Sequence, residues 1–146
     1  MIRYECDYEI KQATPLSAGY DLVCQRVEAH KHKPGHTLVR CYYGVKFDIG
    51  GTGRTFGMIS PRSSTKKYGL MACQTPGILD NDYQGEVFSD FFYIGTEMLD
   101  LGELVGRRLA QIVFLKNQYG ITDLKQVDSV VVTTGRGTGG DGSTGE

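Results

Sequence analysis

Apolar residues along the chain fall in short runs, several alternating with polar ones, and the 3.6-residue period of an amphipathic helix is nearly absent. Glycine, proline and Asp/Asn clusters punctuate the runs. The pattern predicts strands over Ile2–Tyr8, Tyr20–Val27, Thr37–Phe47, Thr55–Ile59, Leu70–Cys73, Tyr83–Tyr93, Arg108–Leu115 and Ser129–Thr133. Turns are expected at Lys33-Pro34-Gly35, Gly50-Gly51-Thr52-Gly53, Pro76-Gly77 and Asp80-Asn81-Asp82. One short helix is expected over Ser63–Tyr68, where Ser63 or Ser64 can cap and Pro61 blocks an earlier start. So many short strands without an internal repeat indicate an all-β domain, a barrel or a jelly roll, over residues 1–134.

From Gly135 to Glu146 the texture changes to glycine, serine, threonine and single charges with no apolar anchor. Such a segment has nothing to bury and is expected to form a flexible C-terminal arm over residues 135–146. A glycine-rich chain can also wrap a phosphate with backbone N–H groups while Arg136, Ser143 and Thr144 fill in.

Length and charge narrow the function classes. At 146 residues the chain fits one domain and can bury a core without metals or disulfides. Lys plus Arg (16) nearly balances Asp plus Glu (17), so the basic footprint of a general nucleic-acid binder is absent. Apolar runs such as Leu109–Leu115 are far too short to cross a bilayer, and the N-terminus lacks a signal-peptide layout. Cys6, Cys24, Cys41 and Cys73 are widely spaced with no CxxC pair, which argues for reduced thiols and a cytoplasmic or nuclear setting. The run His30–His36 sits in a turn-rich stretch and reads as a solvated loop rather than a metal site.

Four segments carry candidate chemistry besides the tail. Ser17-Ala18-Gly19-Tyr20-Asp21-Leu22 brings an acid into a strand, which on residue types alone is also an ordinary turn. Pro61-Arg62-Ser63-Ser64 sets a fork donor and two hydroxyls beside a helix start, which suits an anion or a plain cap. Gly77 to Glu86 reads as a hairpin whose tip bears acids and Tyr83; a carboxylate there can serve as a base and a tyrosine face can pack on a sugar. Gly106 to Ile112 places Gln111 in an apolar strand, where it needs a partner from the protein or from a ligand.

Taken in order, AGYDL, PRSS, GILDNDYQGE, GRRLAQI and RGTGGDGSTG resemble the five sequence blocks of the homotrimeric dUTPase family, from about Ala18 to Gly145. The resemblance implies a jelly-roll-like β-barrel and Mg²⁺-dependent hydrolysis of dUTP to dUMP and pyrophosphate. It also implies a homotrimer whose active sites are shared between subunits. Asp80 would then activate the attacking water, and Tyr83 would lie under the deoxyribose and exclude a 2'-hydroxyl. Backbone groups from Gly77 and Ile78 to Tyr83 would read the uracil edge. Arg62, Ser63, Ser64 and Gln111 would hold phosphates, and Asp21 would hold hydrated Mg²⁺ through water. Arg136, Gly140, Ser143 and Thr144 would close on the nucleotide as the tail orders.

Asp141 departs from the pattern, since the family's fifth block usually has an aromatic residue there that stacks on the uracil. Base–aromatic stacking is worth about 1–3 kcal/mol, and an aspartate cannot supply it. That departure keeps open a second reading, a nucleotide-responsive regulatory protein with weak turnover and a protein partner. A third, dCTP deaminase, shares the Arg-Ser-Ser block, but its usual glutamate after the hairpin is replaced here by Asp90.

Overall fold

Alternation of buried and exposed side chains along the strands sets one face of each sheet inward. The computed structural model describes residues 1–33, 36–49 and 55–116. The expected turns at Pro34-Gly35 and Gly50–Gly53, the strand Ser129–Thr133 and the glycine-rich tail lie outside the described residues.

Among the described residues the strands are β1 (Arg3–Glu5), β2 (Tyr20–Val23), β3 (Arg26–Lys33), β4 (His36–Tyr42), β5 (Lys46–Asp48), β6 (Thr55–Pro61), β7 (Leu70–Ala72), β8 (Gly77–Leu79), β9 (Phe88–Tyr93) and β10 (Arg108–Lys116). A 3-10 helix spans Ser63–Tyr68 and a single α-turn, α1, spans Leu101–Leu104. The strands form two four-stranded sheets, ordered β2-β10-β6-β8 and β3-β4-β9-β7, and a small β1-β5 ribbon, all antiparallel. Leu22, Ile59, Leu79 and Ile112 from the first sheet join Val39, Cys41, Leu70 and Phe91 from the second in one apolar core. The architecture is a jelly-roll-like β-barrel, as the sequence pattern implies.

Each expected strand that falls among the described residues contains strand, but several boundaries need correction. Tyr20–Val27 is two strands, because the chain leaves the first sheet after Val23 and enters the second at Arg26. Cys24 N–H donates to the Arg107 carbonyl and Gln25 N–H to that of Tyr42, so the backbone stays paired through the crossing. Thr37–Phe47 breaks at Gly44, whose φ of 60° only glycine adopts readily. The strand expected over Tyr83–Tyr93 begins at Phe88, and that over Ile2–Tyr8 shrinks to Arg3–Glu5.

The segment read as a hairpin over Gly77–Glu86 is a crossing between sheets: β8 pairs with β6, whereas β9 pairs with β4 and β7. Up to Lys33, and again from His36, the histidine-rich run is strand rather than loop, for β3 and β4 pair from Arg26↔Tyr42 to Lys33↔His36. The helix over Ser63–Tyr68 is present, but neither serine caps it; Arg62 is the N-cap residue and makes no side-chain cap bond. Gly69 ends this helix with φ 64°, its N–H reaching the Lys66 carbonyl. All four cysteines are free. No helix among the described residues is long and apolar enough to cross a membrane.

Candidate active site

Block by block, the expected site residues collect at two places on the barrel. The first is built on a β-bulge in β10. Arg108 pairs with Val23 and Ala110 with Leu22, so Leu109 is an extra residue in the ladder. Leu109 and Ala110 are consequently both buried, while Arg108 and Gln111 lie on the sheet's other face. Gln111 stands directly between Asp21 on β2 and Ser60 on β6. Gly19 packs closely here, for a Cβ there would come to 3.2 Å from Gln111 Oε1 and 3.1 Å from the Ile112 carbonyl, so its neighbours would have to give by a few tenths of an ångström.

Next to this row the chain leaves β6, and Arg62 N–H donates to the Leu109 carbonyl at 2.9 Å. Asp21 is only 5% exposed, and its carboxylate accepts from two guanidiniums. Arg62 Nη1 donates to Oδ1, and Arg108 Nη1 to Oδ2 at 3.1 Å. Asp21, Arg62, Ser63, Lys66 and Gln111, with Ser17 and Gly19, line an open pocket of about 650 Å³. Ser64 is not in the lining; its hydroxyl donates to the Arg108 carbonyl at 3.4 Å. Two cations in contact with one carboxylate leave surplus positive charge beside exposed Ser63, which suits a phosphate group.

The second place is the crossing after β8. Asp80 begins a turn closed by Tyr83 N–H on the Asp80 carbonyl at 3.2 Å. Asn81 anchors the turn from within: its amide donates to the Ile49 carbonyl at 3.2 Å and that of Thr55 at 3.0 Å. Asp80 is therefore exposed on a fixed backbone, able to take a proton from water. The Tyr83 ring is 40% exposed and its hydroxyl donates to the Glu86 carbonyl at 3.1 Å. Gly85 lies against that ring, since a Cβ there would fall 2.6 Å from Tyr83 Cζ. Gly77, Ile78, Asp80, Tyr83, Phe88 and Asp90 line a pocket of about 180 Å³.

Beneath this pocket Asp90 grips Arg40 in a fork, Nε to Oδ1 at 2.8 Å and Nη2 to Oδ2 at 2.9 Å. Those bonds hold the Arg40 guanidinium firmly protonated, above its ordinary pKa, although burial works against them. Arg40 also covers the Phe88 ring at 4.1 Å and so fixes the pocket floor. Asp90 is thus a structural ion-pair partner.

The sequence reading missed Arg108, Lys66 and the Phe88–Arg40–Asp90 floor. Arg108 was visible within the fourth block, but its aim depends on a bulge that no local signal announces. Arg136, Gly140, Asp141, Ser143 and Thr144 lie outside the described residues.

A barrel that presents an anion pocket and, on a separate rigid turn, an exposed carboxylate beside an aromatic face has the build of a nucleotide hydrolase. The dUTPase family model matches residues 8–145. The chain belongs to that family: it is a dUTP diphosphatase, a hydrolase of nucleotide metabolism. It is 35% identical over 144 residues to a deoxyuridine 5'-triphosphate nucleotidohydrolase of Laribacter hongkongensis, covering 95% of this chain and 89% of that one. A relative of the same name from Escherichia phage T5 is 40% identical over 90 residues, 62% of this chain and 58% of its own length. Among solved structures, a point mutant of a Staphylococcus bacteriophage 80alpha dUTPase with dUpNHpp superposes with a TM-score of 0.72 at 18% identity, covering 100% of this chain and 99% of that one. A point mutant of a dUTPase from phage phi11 of S. aureus, with a structural Mg(II) ion, matches with a TM-score of 0.66 at 16% identity, over 88% of this chain and 97% of that one.

Proposed function

We propose that dUTP is hydrolysed in a site assembled from two subunits, one supplying the Asp80 turn and the other the Arg62 pocket. The observation that carries this reading is that the two pockets share no lining residue. A single nucleotide needs its base, sugar and triphosphate held together, which two chains placed side by side accomplish. A homotrimer is the closed arrangement that makes every such site equivalent.

In that site Asp80 takes the proton from a water that attacks the α-phosphorus, and pyrophosphate leaves in line. Gly77 and Ile78 present backbone groups to the uracil, and Tyr83 lies under the deoxyribose. Arg62, Ser63 and Gln111 hold phosphate oxygens, while Ser64 supports the helix start through Arg108. Arg136, Gly140, Ser143 and Thr144 add backbone and side-chain donors from the tail, with Asp141 in place of a stacking ring. Reduced thiols fit a cytoplasmic setting, or a nuclear one in a eukaryotic host.

No group of three or more His, Cys, Asp or Glu among the described residues could cage a metal ion. Asp21 fits an ion carried in by the triphosphate and met through water, since each carboxylate oxygen has a second lone pair free of its arginine. When bound there, Mg²⁺ neutralises triphosphate charge; the chain's part is to orient its water shell through Asp21.

Steady-state turnover of dUTP against dCTP, dTTP and UTP, with pyrophosphate as the readout, tests the reading. Strong preference for dUTP is expected, and ammonia release from dCTP or comparable rates on all four would overturn it. Gly85→Ala provides a sharper test of the sugar subsite. Its methyl group must displace the Tyr83 ring, so the ratio of kcat/KM for dUTP over UTP is expected to fall about tenfold. An unchanged ratio would remove Tyr83 as the group that excludes the 2'-hydroxyl.

A further inference from the structure

We propose that Arg108 is a positioning residue of the phosphate site, compensating the buried Asp21 carboxylate so that Arg62 is free to engage the triphosphate. This rests on the reading of Arg62 as a phosphate ligand.

Asp21 is 5% exposed, and a buried carboxylate without a counter-charge is strongly unfavourable. Its two oxygens are divided between two arginines, Oδ1 to Arg62 and Oδ2 to Arg108. The two guanidiniums are not equivalent. Arg62 lines the pocket, whereas Arg108 does not, and the Arg108 side chain is 59% exposed. Were Arg62 the sole partner of Asp21, every nucleotide that drew it away would strand a buried charge. With Arg108 in place Asp21 keeps one cation throughout, and Arg62 can redirect its donors at little loss. The bulge at Leu109 makes this possible by putting Arg108 on the same face as Gln111, which lies directly opposite Asp21.

The same arrangement explains why the fourth block supplies a cation outside the lining of the Arg62 pocket. Arg108 acts through Asp21 upon Arg62, so its removal weakens nucleotide binding with little effect on the chemical step. A merely structural role would instead lower thermal stability and leave the affinity of folded enzyme unchanged.

The test is the Kd of a non-hydrolysable imido analogue of dUTP, measured in EDTA on the full-length protein so that any Mg²⁺ role of Asp21 is silent. Arg108→Gln is expected to weaken binding about tenfold, the usual scale of coupling between linked sites. Arg108→Lys, which keeps the charge, is expected to recover most of that loss. In an Asp21→Asn background there is no charge to compensate, and Arg108→Gln is expected to leave Kd within about twofold. In steady state with Mg²⁺, Arg108→Gln should raise KM while kcat holds. Wild-type affinity in folded Arg108→Gln would overturn the proposal. An equal loss in the Asp21→Asn background would do the same, since it would make Arg108 a direct ligand. Arg62→Ala measured alongside separates the two readings: if it binds the analogue normally, the phosphate assignment itself fails, whatever Arg108 does.

Discussion

Replacing Asp80 by asparagine is expected to lower kcat about a thousandfold while dUTP still binds, the range in which a positioned general base contributes. The substitution is nearly isosteric and removes only the proton acceptor. The turn survives it, because the Asp80 carbonyl accepts Tyr83 N–H at 3.2 Å and the Asn81 amide holds the Ile49 and Thr55 carbonyls. None of these bonds uses the Asp80 carboxylate. Loss of turnover with retained Kd for the imido analogue would therefore report chemistry rather than collapse of the subsite. Asp82, two residues on in the same turn, is the internal control, because it does not line the pocket. Near-normal turnover in Asp80→Asn would pass the base role to another group and leave Asp80 as a surface acid.

Strand identity was legible because alternation is local, whereas strand ends were not, because burial continues through the breaks. Cys24, Tyr43 and Val45 are fully buried although none lies in a strand, so the apolar pattern runs unbroken where the chain changes sheet or turns at Gly44. The opposite error arose at β3. Among the described residues it is the outer strand of its sheet, pairing only with β4, and edge strands tolerate the lysines and histidines that make its sequence read as a loop. At the site, Asp80 and Tyr83 were legible from an acid–aromatic turn. That the strands on either side enter different sheets was not, since Gly77–Leu79 finds its partner on β6, about twenty residues earlier in sequence. Asp21 shows the same limit from another side. Its two arginines, 41 and 87 residues away, meet it only through sheet register and a bulge. The sequence carries their types and order but not their convergence on one carboxylate.

That convergence makes Arg62→Ala the second large effect, an expected fall in kcat/KM of about 100- to 1,000-fold, the scale of losing one preorganised donor to developing charge. Arg62 sits at the N-cap of the 3-10 helix with an extended backbone and makes no cap bond with its side chain, so alanine leaves the helix start intact. Thr65 Oγ1 still donates to the Arg62 carbonyl at 2.9 Å, and the Leu109 carbonyl still accepts its N–H. Asp21 retains Arg108 as counter-ion, so the carboxylate is not stranded and the core beneath it, Leu22 and Ala110, keeps its packing. The loss should thus appear in kinetics and hardly at all in the thermal midpoint. Arg62→Lys discriminates further: a point charge replaces the fork, and recovery should be partial because Lys cannot make paired bonds to one phosphate. A kcat/KM close to wild type in Arg62→Ala would move the phosphates out of the pocket between β2, β6 and β10. A large drop in thermal midpoint would instead mean that the pair with Asp21 holds the barrel together, and that the surplus charge there serves the fold before it serves the substrate.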